Sequence, residues 1–413
     1  MISNSSQPSR PSRLSRVPPA VKGLSLVSLF NDFASEMVYP LLPAFVTRSL
    51  GGGPLALGLL DGAAELTSSV VKWISGRMSD RPGWRRPLIL GGYASAVLVR
   101  PLISVAGSAW QVVGFRVIDR FGKGLRTPPR DALIAEVTPP PLRGRSFGFH
   151  RAADHFGAVL GSLAAWFLLS RGAEVRSVIG WSVVPGVLAV AVLVLVLRVK
   201  GQRSKVSETP LILQNRESHE NSRLSTLDPR PSAFWPPVFA LTALTFFRLP
   251  ETLLILRLQD RGVMVAAVPL VWAGLHVVRS LSSYPGGWLS DRLGPRRVVA
   301  AGGLLFALGA FALGAALGPI EAIGVFLVLG LVAGLTESGE RAVVARLAPV
   351  RTGRGFGSYH ALVGAAALPA GVGFGALYQS GAGPAALWAS GSGMLLAVVL
   401  WLAVSPADEG SSS

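Results

Sequence analysis

The chain has 413 residues, of which 50% are hydrophobic and only 15% are charged, a balance that argues against a water-soluble protein. The formal net charge is +17, and the lack of cysteine in the sequence excludes disulfides, thiolate metal sites and cysteine catalysis. The 48 glycines and 30 prolines suit membrane helices, in which small residues allow close packing. The composition therefore predicts an all-α membrane protein.

Twelve apolar runs of membrane-spanning length follow one another along the chain. The first six lie at 23–47, 54–76, 87–106, 109–135, 146–169 and 177–198, and the second six at 233–256, 263–289, 298–317, 320–345, 355–378 and 384–404. The polar stretch between the two sets is rich in Ser, Arg, Glu and Pro, which is typical of a flexible linker. We expect a tail at 1–22, a six-helix bundle at 23–198, a linker at 199–232, a second six-helix bundle at 233–404 and a tail at 405–413.

Basic residues are concentrated in the N-terminal tail, the linker and the turns that follow even-numbered spans. By the positive-inside rule, this distribution predicts a multi-pass protein of the cell membrane with both termini and the linker in the cytosol. Within the spans acids and bases nearly balance, so the excess charge favours attraction to anionic lipid over nucleic-acid binding. The first 20 residues have no apolar core, which predicts no cleavable signal peptide.

An internal repeat divides the sequence into two halves. The pattern Gly76-x-x-Ser79-Asp80-Arg81-x-Gly83-x-Arg85-Arg86 recurs without a gap as Gly287-x-x-Ser290-Asp291-Arg292-x-Gly294-x-Arg296-Arg297. Further along, Gly144-Arg145-x-Phe147-Gly148 recurs as Gly353-Arg354-x-Phe356-Gly357. Two six-helix halves in the same orientation are the plan of one large group of secondary transporters.

At these residues the sequence resembles the major facilitator superfamily, whose members carry this motif after the second span and a weaker copy after the eighth. The resemblance extends from about Val21 to Val404. It implies a substrate site between the halves and a latch that joins their cytosolic ends and opens during transport. The latch residues would be Gly76, Asp80, Arg81, Gly83, Arg85, Arg86, Asp291 and Arg292. The alternative is that these arginine-rich turns only set the topology.

Span five carries glycines at Gly148, Gly157 and Gly161, a spacing that resembles the start of the antiporter motif of that superfamily. The sequence departs from the motif further on, where Ser162 replaces its proline. Close helix packing through small residues is the competing interpretation of the same glycines.

Span four is unusually charged for a membrane helix. The block from Asp119 to Ala135 resembles one found in bacterial drug-efflux and heavy-metal-efflux permeases of the superfamily. By the same resemblance, Arg120, followed four positions later by Gly124, matches an arginine tied to proton coupling, with Arg116 as the other candidate.

Charged side chains at membrane depth are costly, so each should pair or line a wet cavity. Spacings of three or four residues predict pairs along single helices. These pairs are Asp119 with Lys123, Arg151 with Asp154, Arg248 with Glu251 and Glu337 with Arg341.

Two carboxylate pairs, Asp32 with Glu36 and Asp61 with Glu65, have no neighbouring cation in their own spans. Because two close carboxylates rarely ionise together, we expect these pairs to carry protons. The alternative is a static network with the arginines of span four. The candidate proton and substrate residues are Asp32, Glu36, Asp61, Glu65, Arg116, Asp119, Arg120, Arg126, Arg130, Asp131 and Asp154.

The histidines lack a compact metal-ligand spacing, so we expect packed or hydrogen-bonded side chains at His150, His155, His276 and His360, with neither metal nor cofactor. The sequence holds no phosphate-binding P-loop, H-E-x-x-H or G-x-S-x-G motif, which argues against an enzyme. We expect a monomeric secondary transporter that moves a small solute outward in exchange for protons. The alternatives are an uptake symporter or facilitator, a divalent-metal efflux pump using Asp32, Glu36 and the span-five His/Asp cluster, or a non-transporting receptor or scaffold.

Overall fold

A computed structural model describes residues 17–79, 81, 83–138, 143–203, 231–315, 318–347 and 352–405. Every regular element in those ranges is helical. Most of the predicted linker and of both predicted tails lies outside the described residues, as does Asp80 of the motif.

Six helical segments form the N-terminal half. They are α1 (Pro19–Val38, continued by short turns through Phe45–Ser49), α2 (Pro54–Ser79), α3 (Arg85–Leu102), α4 (Ala109–Val137), α5 (Arg143–Ser170) and α6 (Val175–Trp181 and Val183–Arg203). Pro40 and Pro43 interrupt α1 because proline cannot donate the backbone hydrogen bond of a regular helix. Ser108 caps α4, its hydroxyl accepting from the amide of Gln111 at 3.3 Å.

Six further segments form the C-terminal half. They are α7 (Pro231–Phe246 and Glu251–Asp260), α8 (Val268–Leu293), α9 (Pro295–Gly314), α10 (Pro319–Leu347), α11 (Thr352–Gln379) and α12 (Gly383–Val404). The repeated motif folds alike in both halves, since Gly83 and Gly294 both adopt a positive φ, of 83° and 88°. Only glycine takes this conformation without strain, which explains why both copies of the turn carry it.

Within the described parts of the chain, eight helices are long and apolar enough to cross a membrane by length and composition. The helices outside that set are α1, α2, α4 and α10, each of which carries several acidic or basic residues. Most of the charged residues of α1, α2 and α4 line an internal cavity, so these helices are less apolar because they face one another and a polar interior.

The two halves pack in the same way internally and meet through equivalent helices. In each half the fourth helix packs against both the second and the third helix. Between the halves, α2 packs along α11 and α5 packs along α8. The side of the molecule where α1 begins and α6 ends is called the linker side below, and the other the far side. A glycine pair brings α2 and α11 together near the far side: a Cβ on Gly58 would lie 1.9 Å from the carbonyl oxygen of Gly371.

Gly157 and Gly161 of α5 pack directly against the backbone of α1. A Cβ on Gly157 would lie 2.3 Å from the carbonyl oxygen of Leu29, and one on Gly161 would lie 2.2 Å from that of Phe33. The structure therefore uses these glycines for close helix packing, which is the alternative that the sequence left open.

Candidate functional site

A cavity of about 570 Å³ lies between the two halves. Its wall includes α1 from Asn31 to Tyr39, α2 from Asp61 to Lys72 and α4 from Arg116 to Arg130, with α7, α8 and α11 facing them. Because α2 and α4 both run toward the linker side, this wall extends from the middle of the bundle toward the linker side. The volume is in the range of sites that hold small organic molecules.

Two carboxylates of the N-terminal half reach across to the C-terminal half. Glu36 accepts a hydrogen bond from Nε1 of Trp272 at 2.8 Å, and Nε2 of His276 lies 3.7 Å from the same oxygen. Asp61 accepts from the hydroxyl of Thr252 at 2.8 Å and from its amide at 3.1 Å. Both contacts lie toward the far-side end of the cavity and tie the halves together there.

The Asp61 contact has a clear electrostatic basis. Thr252 is the second residue of the helix Glu251–Asp260, where backbone amides lack partners within the helix. Tyr39 supplies a further donor, its hydroxyl lying 3.1 Å from Oδ1 of Asp61. Asp61 thus caps, from the other half of the molecule, the positive end of a helix.

The cavity wall is rich in cations. Its basic side chains are Lys72, Arg100, Arg116, Arg120, Lys123, Arg126, Arg130, Arg151, Arg248 and Arg279, and its acidic ones are Asp32, Glu36, Asp61, Glu65, Asp154 and Glu251. Ten formal positive charges therefore face six formal negative charges. The near balance of charge along the spans does not carry over to the cavity, because helix rotation determines which charges face it.

Asp119 does not line the cavity but lies buried behind its wall, with 1% of its side chain exposed. It accepts from Nε of Arg100 at 2.9 Å and from Nη1 of Arg116 at 3.3 Å, and Arg100 also donates to the carbonyl oxygen of Asn31 at 2.8 Å. The predicted pair of Asp119 with Lys123 is therefore wrong, since two arginines surround Asp119 instead. Such a buried network fixes α1, α3 and α4 to one another.

Of the other ion pairs predicted within single helices, the structure confirms one and corrects another. Arg151 and Asp154 lie 3.9 Å apart, as expected for a pair on one helix. The predicted pair of Arg248 with Glu251 is wrong: Arg248 lies 3.6 Å from Glu340 of α10, and Glu251 pairs with Arg279 of α8. The side chains of Glu337 and Arg341 lie outside the described residues.

The carboxylate pairs expected along α1 and α2 separate toward different partners. Asp32 accepts from the side chain of Asn31 at 2.9 Å, whereas Glu36 turns to α8. Glu65 accepts from Ser69 at 3.2 Å, whereas Asp61 turns to α7. All four carboxylates nevertheless line the one cavity.

The arginines predicted on span four do meet in the cavity. Arg116, Arg120, Arg126 and Arg130 all contribute to its wall, and Asp154 joins them from α5. Arg126 donates to the carbonyl oxygen of Gly92 at 3.0 Å and stacks over Tyr93.

Arg130 donates to Ser28 at 3.2 Å and pairs with Asp131 at 2.9 Å. Asp131 is 39% exposed and lies outside the cavity wall, so the structure does not bring it to the site with the other candidates.

Several wall residues were missed by the sequence. Tyr39 and Trp272 carried no signal, because uncharged side chains are common in apolar spans. The same holds for Thr252, which contacts Asp61 but is not part of the wall. Arg100 and Lys72 could have been found as isolated cations in otherwise apolar spans, since charge at membrane depth indicates a functional or paired group.

The histidines lie apart from any metal-binding arrangement in the described part of the chain, where no group of three or more His, Cys, Asp or Glu could hold a metal ion. His150 contacts Ser25 at 3.3 Å. The rings of His155 and His276 lie 6.2 Å apart across the interface between the halves, and His360 stacks near Tyr359. Nε2 of His150 lies 3.7 Å from Asp154, and these two members of the span-five His/Asp cluster have no third ligand among the described residues.

The motif residues contact their own halves. Arg85 pairs with Glu136 of α4, and Arg292 stacks over Trp288 of its own helix. Arg81 and Arg86 are described beside them, as are the glycines Gly76 and Gly83. The side chain of Asp291 and the whole of Asp80 are outside the described residues.

A family model described as Major Facilitator Superfamily matches residues 24–278 and 253–413. The chain belongs to this superfamily. An uncharacterised MFS-type transporter of Methanocaldococcus jannaschii is 28% identical to it over 84% of this chain and 85% of the relative. The multidrug resistance protein MdtH of Aeromonas hydrophila is 29% identical over 46% of each chain.

Among solved structures, a POT family transporter crystallised with a thioalcohol-conjugated peptide superposes with a TM-score of 0.74 at 12% identity. The alignment covers 94% of this chain and 96% of that transporter. This likeness shows the fold, and with the family match it confirms the predicted all-α membrane protein of twelve transmembrane helices in two parallel halves. The chain is accordingly a multi-pass membrane transporter of the major facilitator superfamily.

Proposed function

We propose that this superfamily member moves a small solute across the cell membrane by alternating access, and that protons binding at Glu36 and Asp61 shift the balance between its conformations. The observation that carries the proposal is that both carboxylates cross the interface between the halves and accept hydrogen bonds there. A group that joins the halves and can change its charge is the component that a proton-driven carrier requires.

Protonation acts on these contacts through hydrogen-bond chemistry. An ionised carboxylate accepts strongly from the indole of Trp272 and from the hydroxyl and amide of Thr252. Hydrogen bonds to a charged group contribute about 1.5 to 3 kcal/mol each, and a neutral carboxyl loses much of that strength. Protonation therefore weakens the contacts on the far side and favours a conformation that opens there.

Asp32 and Glu65 complete the proton route in this proposal. Each lies one helical turn nearer the linker side than Glu36 and Asp61 respectively, and each lines the same cavity. A proton that enters from the linker side meets these carboxylates first.

The motif turns act as the latch of the alternate state in the same scheme. In the present conformation Arg85 and Arg292 make their contacts within their own halves. Closure of the linker side brings the two motif turns together, and the linker side is the cytosolic one by the positive-inside rule.

Two observations bear on the direction of coupling. Similarity to the multidrug resistance protein MdtH supports outward transport in exchange for protons. The excess of cations in the cavity supports the second candidate, co-transport of a proton with an anion, because neutralising a nearby carboxylate strengthens anion binding and binding linkage is reciprocal.

Distance measurements between spin labels test the conformational proposal without a known substrate. The chain has no native cysteine, so labels attach only where cysteine is introduced. Arg171→Cys with Ser380→Cys reports the far side, and Trp84→Cys with Leu293→Cys reports the linker side, since all four residues are exposed. In acidic buffer the far-side distance should lengthen and the linker-side distance shorten.

Neutral variants should reproduce the acidic state in alkaline buffer. The pair Glu36→Gln with Asp61→Asn is the test, and Glu174→Gln, an exposed carboxylate at the start of α6, is the matched control. Distances that ignore pH in the wild type, or a double variant that matches the control, would refute the role given to the two carboxylates.

The direction of coupling is read in proteoliposomes that contain a pH dye and are loaded with organic cations or organic anions. Exchange acidifies the lumen as solute leaves, because protons move inward. Co-transport makes the lumen alkaline instead. A solute that leaves without any pH change would show an uncoupled facilitator.

A further inference from the structure

Most cations of the cavity already have a partner. Arg100 and Arg116 contact Asp119, Arg130 contacts Asp131, Arg151 contacts Asp154, Arg248 contacts Glu340 and Arg279 contacts Glu251. These pairs are complete without any ligand and so belong to the framework of the cavity.

Four cations of the wall remain: Arg126 donates to the carbonyl oxygen of Gly92 and stacks over Tyr93, and the other three come from α2 and α4. No carboxylate oxygen of the described residues lies within 4 Å of the ammonium of Lys72 or Lys123. Arg120 reaches only Asp119, at 3.9 Å, and that carboxylate is already occupied by Arg100 and Arg116. Lys72, Arg120 and Lys123 form what is called the basic cluster below.

The members of the basic cluster share one region of the cavity. Arg120 and Lys123 lie three residues apart on α4, and a Cβ on Gly124 would lie 2.6 Å from the side chain of Val71, the neighbour of Lys72 on α2. Glu65, which accepts a hydrogen bond from Ser69 at 3.2 Å, and Asp32 line the same cavity and offset part of this positive charge. Positive charges at membrane depth are costly unless they are neutralised, so the remainder calls for a mobile anion.

The C-terminal half lines the same cavity with apolar side chains, namely Leu249 and Pro250 of α7, Trp272 of α8 and Ala367 and Ala370 of α11. The charged wall residues of that half include Arg248 and Arg279, which pair with Glu340 and Glu251. The cavity therefore offers the basic cluster on one half and apolar surface beside paired charges on the other. A ligand that touches both must combine negative charge with an apolar body.

We infer that the cavity takes an organic anion, with its carboxylate or phosphate group on Lys72, Arg120 and Lys123 and its apolar body against Leu249, Pro250 and Trp272. The inference rests on the proposed function in that it names the class of solute. An anion held by both halves also gives substrate binding a means to draw the halves together around it. An organic cation would be repelled by the net positive charge of the same three side chains.

Calorimetric binding to the purified full-length chain in detergent tests this inference. Naphthoate, naphthyl phosphate, naphthamide and naphthylmethylamine share one apolar body and differ in the charge of the attached group. At least one of the two anions should bind. Comparing the affinities for naphthoate and naphthyl phosphate then shows whether the site prefers a carboxylate or a phosphate group. The neutral and the cationic compound should bind at least about tenfold more weakly, as the loss of a charged hydrogen bond implies.

Substitutions locate the site. Arg120→Gln and Lys123→Gln should each weaken anion binding by about tenfold or more, and Lys123→Arg, which keeps the charge, should retain it. Arg171→Gln, at an exposed cation outside the cavity, is the control and should bind as the wild type does. A thermal unfolding curve for each variant separates lost binding from lost folding.

Three results would overturn the inference. These are equal binding of naphthamide or naphthylmethylamine, anion binding that survives both glutamine variants, and no binding of either anion to folded wild-type protein. If no anion binds, the pH-dependent spin-label distances still test the proton-driven switch. If those distances do not change with pH, anion binding still tests the present inference, so the two proposals can be refuted separately.

Discussion

Gly58 of α2 offers a direct test of how the halves close on the far side. A Cβ at this position would lie 1.9 Å from the carbonyl oxygen of Gly371 in α11, whereas ordinary contact begins at 3.4 Å. Gly58→Ala therefore requires the two helices to move apart by about 1.5 Å at this point, and backbone atoms cannot rotate away as a side chain could. Overpacking of this kind costs about 1 to 3 kcal/mol.

That cost falls on the present conformation, in which the far-side ends of α2 and α11 touch. We expect Gly58→Ala to shift the equilibrium toward the far-side-open state by about fivefold to 150-fold, as 1 to 3 kcal/mol implies. The spin pair at Arg171 and Ser380 measures the shift as a population at longer distance.

Gly373→Ala is the matched control for Gly58→Ala. It lies on α11 beside the contact, but a Cβ there meets nothing within 4 Å. The control should leave both the distances and the midpoint of thermal unfolding close to those of the wild type. If Gly58→Ala behaves like Gly373→Ala in both measurements, the proposed closure through this glycine contact is refuted.

Three further outcomes follow from the structure. Asp119→Asn leaves Arg100 and Arg116 buried without their carboxylate and should lower the free energy of unfolding by about 3 to 5 kcal/mol in chemical denaturation. Glu136→Gln, at the more exposed pair with Arg85, should lower it by less than about 1 kcal/mol. Trp272→Phe keeps an aromatic ring but removes the hydrogen-bond donor to Glu36. At alkaline pH the population with the longer far-side distance should therefore rise by about tenfold, and an unchanged distance distribution would contradict this. Arg257→Gln removes the donors to the carbonyl oxygens of Leu313 and Gly314 at the end of α9 and should lower the unfolding midpoint, with Arg171→Gln as the neutral comparison.

Local patterns in the sequence predicted the framework of this protein well. Apolar length gave the helices, because each must satisfy its backbone hydrogen bonds within a membrane. The recurrence of Gly76 to Arg86 at Gly287 to Arg297 gave the two parallel halves, and both copies of the turn do place a glycine at positive φ. These features depend on residues close together in the chain.

The candidate site was predicted as a set of residues but not as an arrangement. Asp32, Glu36, Asp61 and Glu65 do line one cavity with the arginines of α4. Helical spacing, however, predicts only ion pairs between residues of the same helix. It therefore paired Arg248 with Glu251, although each turns to a different helix, and it paired Asp119 with Lys123, although Arg100 occupies that carboxylate.

By itself, the sequence determined the number of helices, the repeat and the presence of costly buried charge, since each follows from local composition and spacing. The tertiary structure decided where that charge acts. Asp61 accepts a hydrogen bond from Thr252, which lies 191 residues later in the chain, and Glu36 accepts one from Trp272, which lies 236 residues later. Such contacts depend on how each helix is rotated and packed, so only the assembled bundle shows which charges face the cavity and which join its halves.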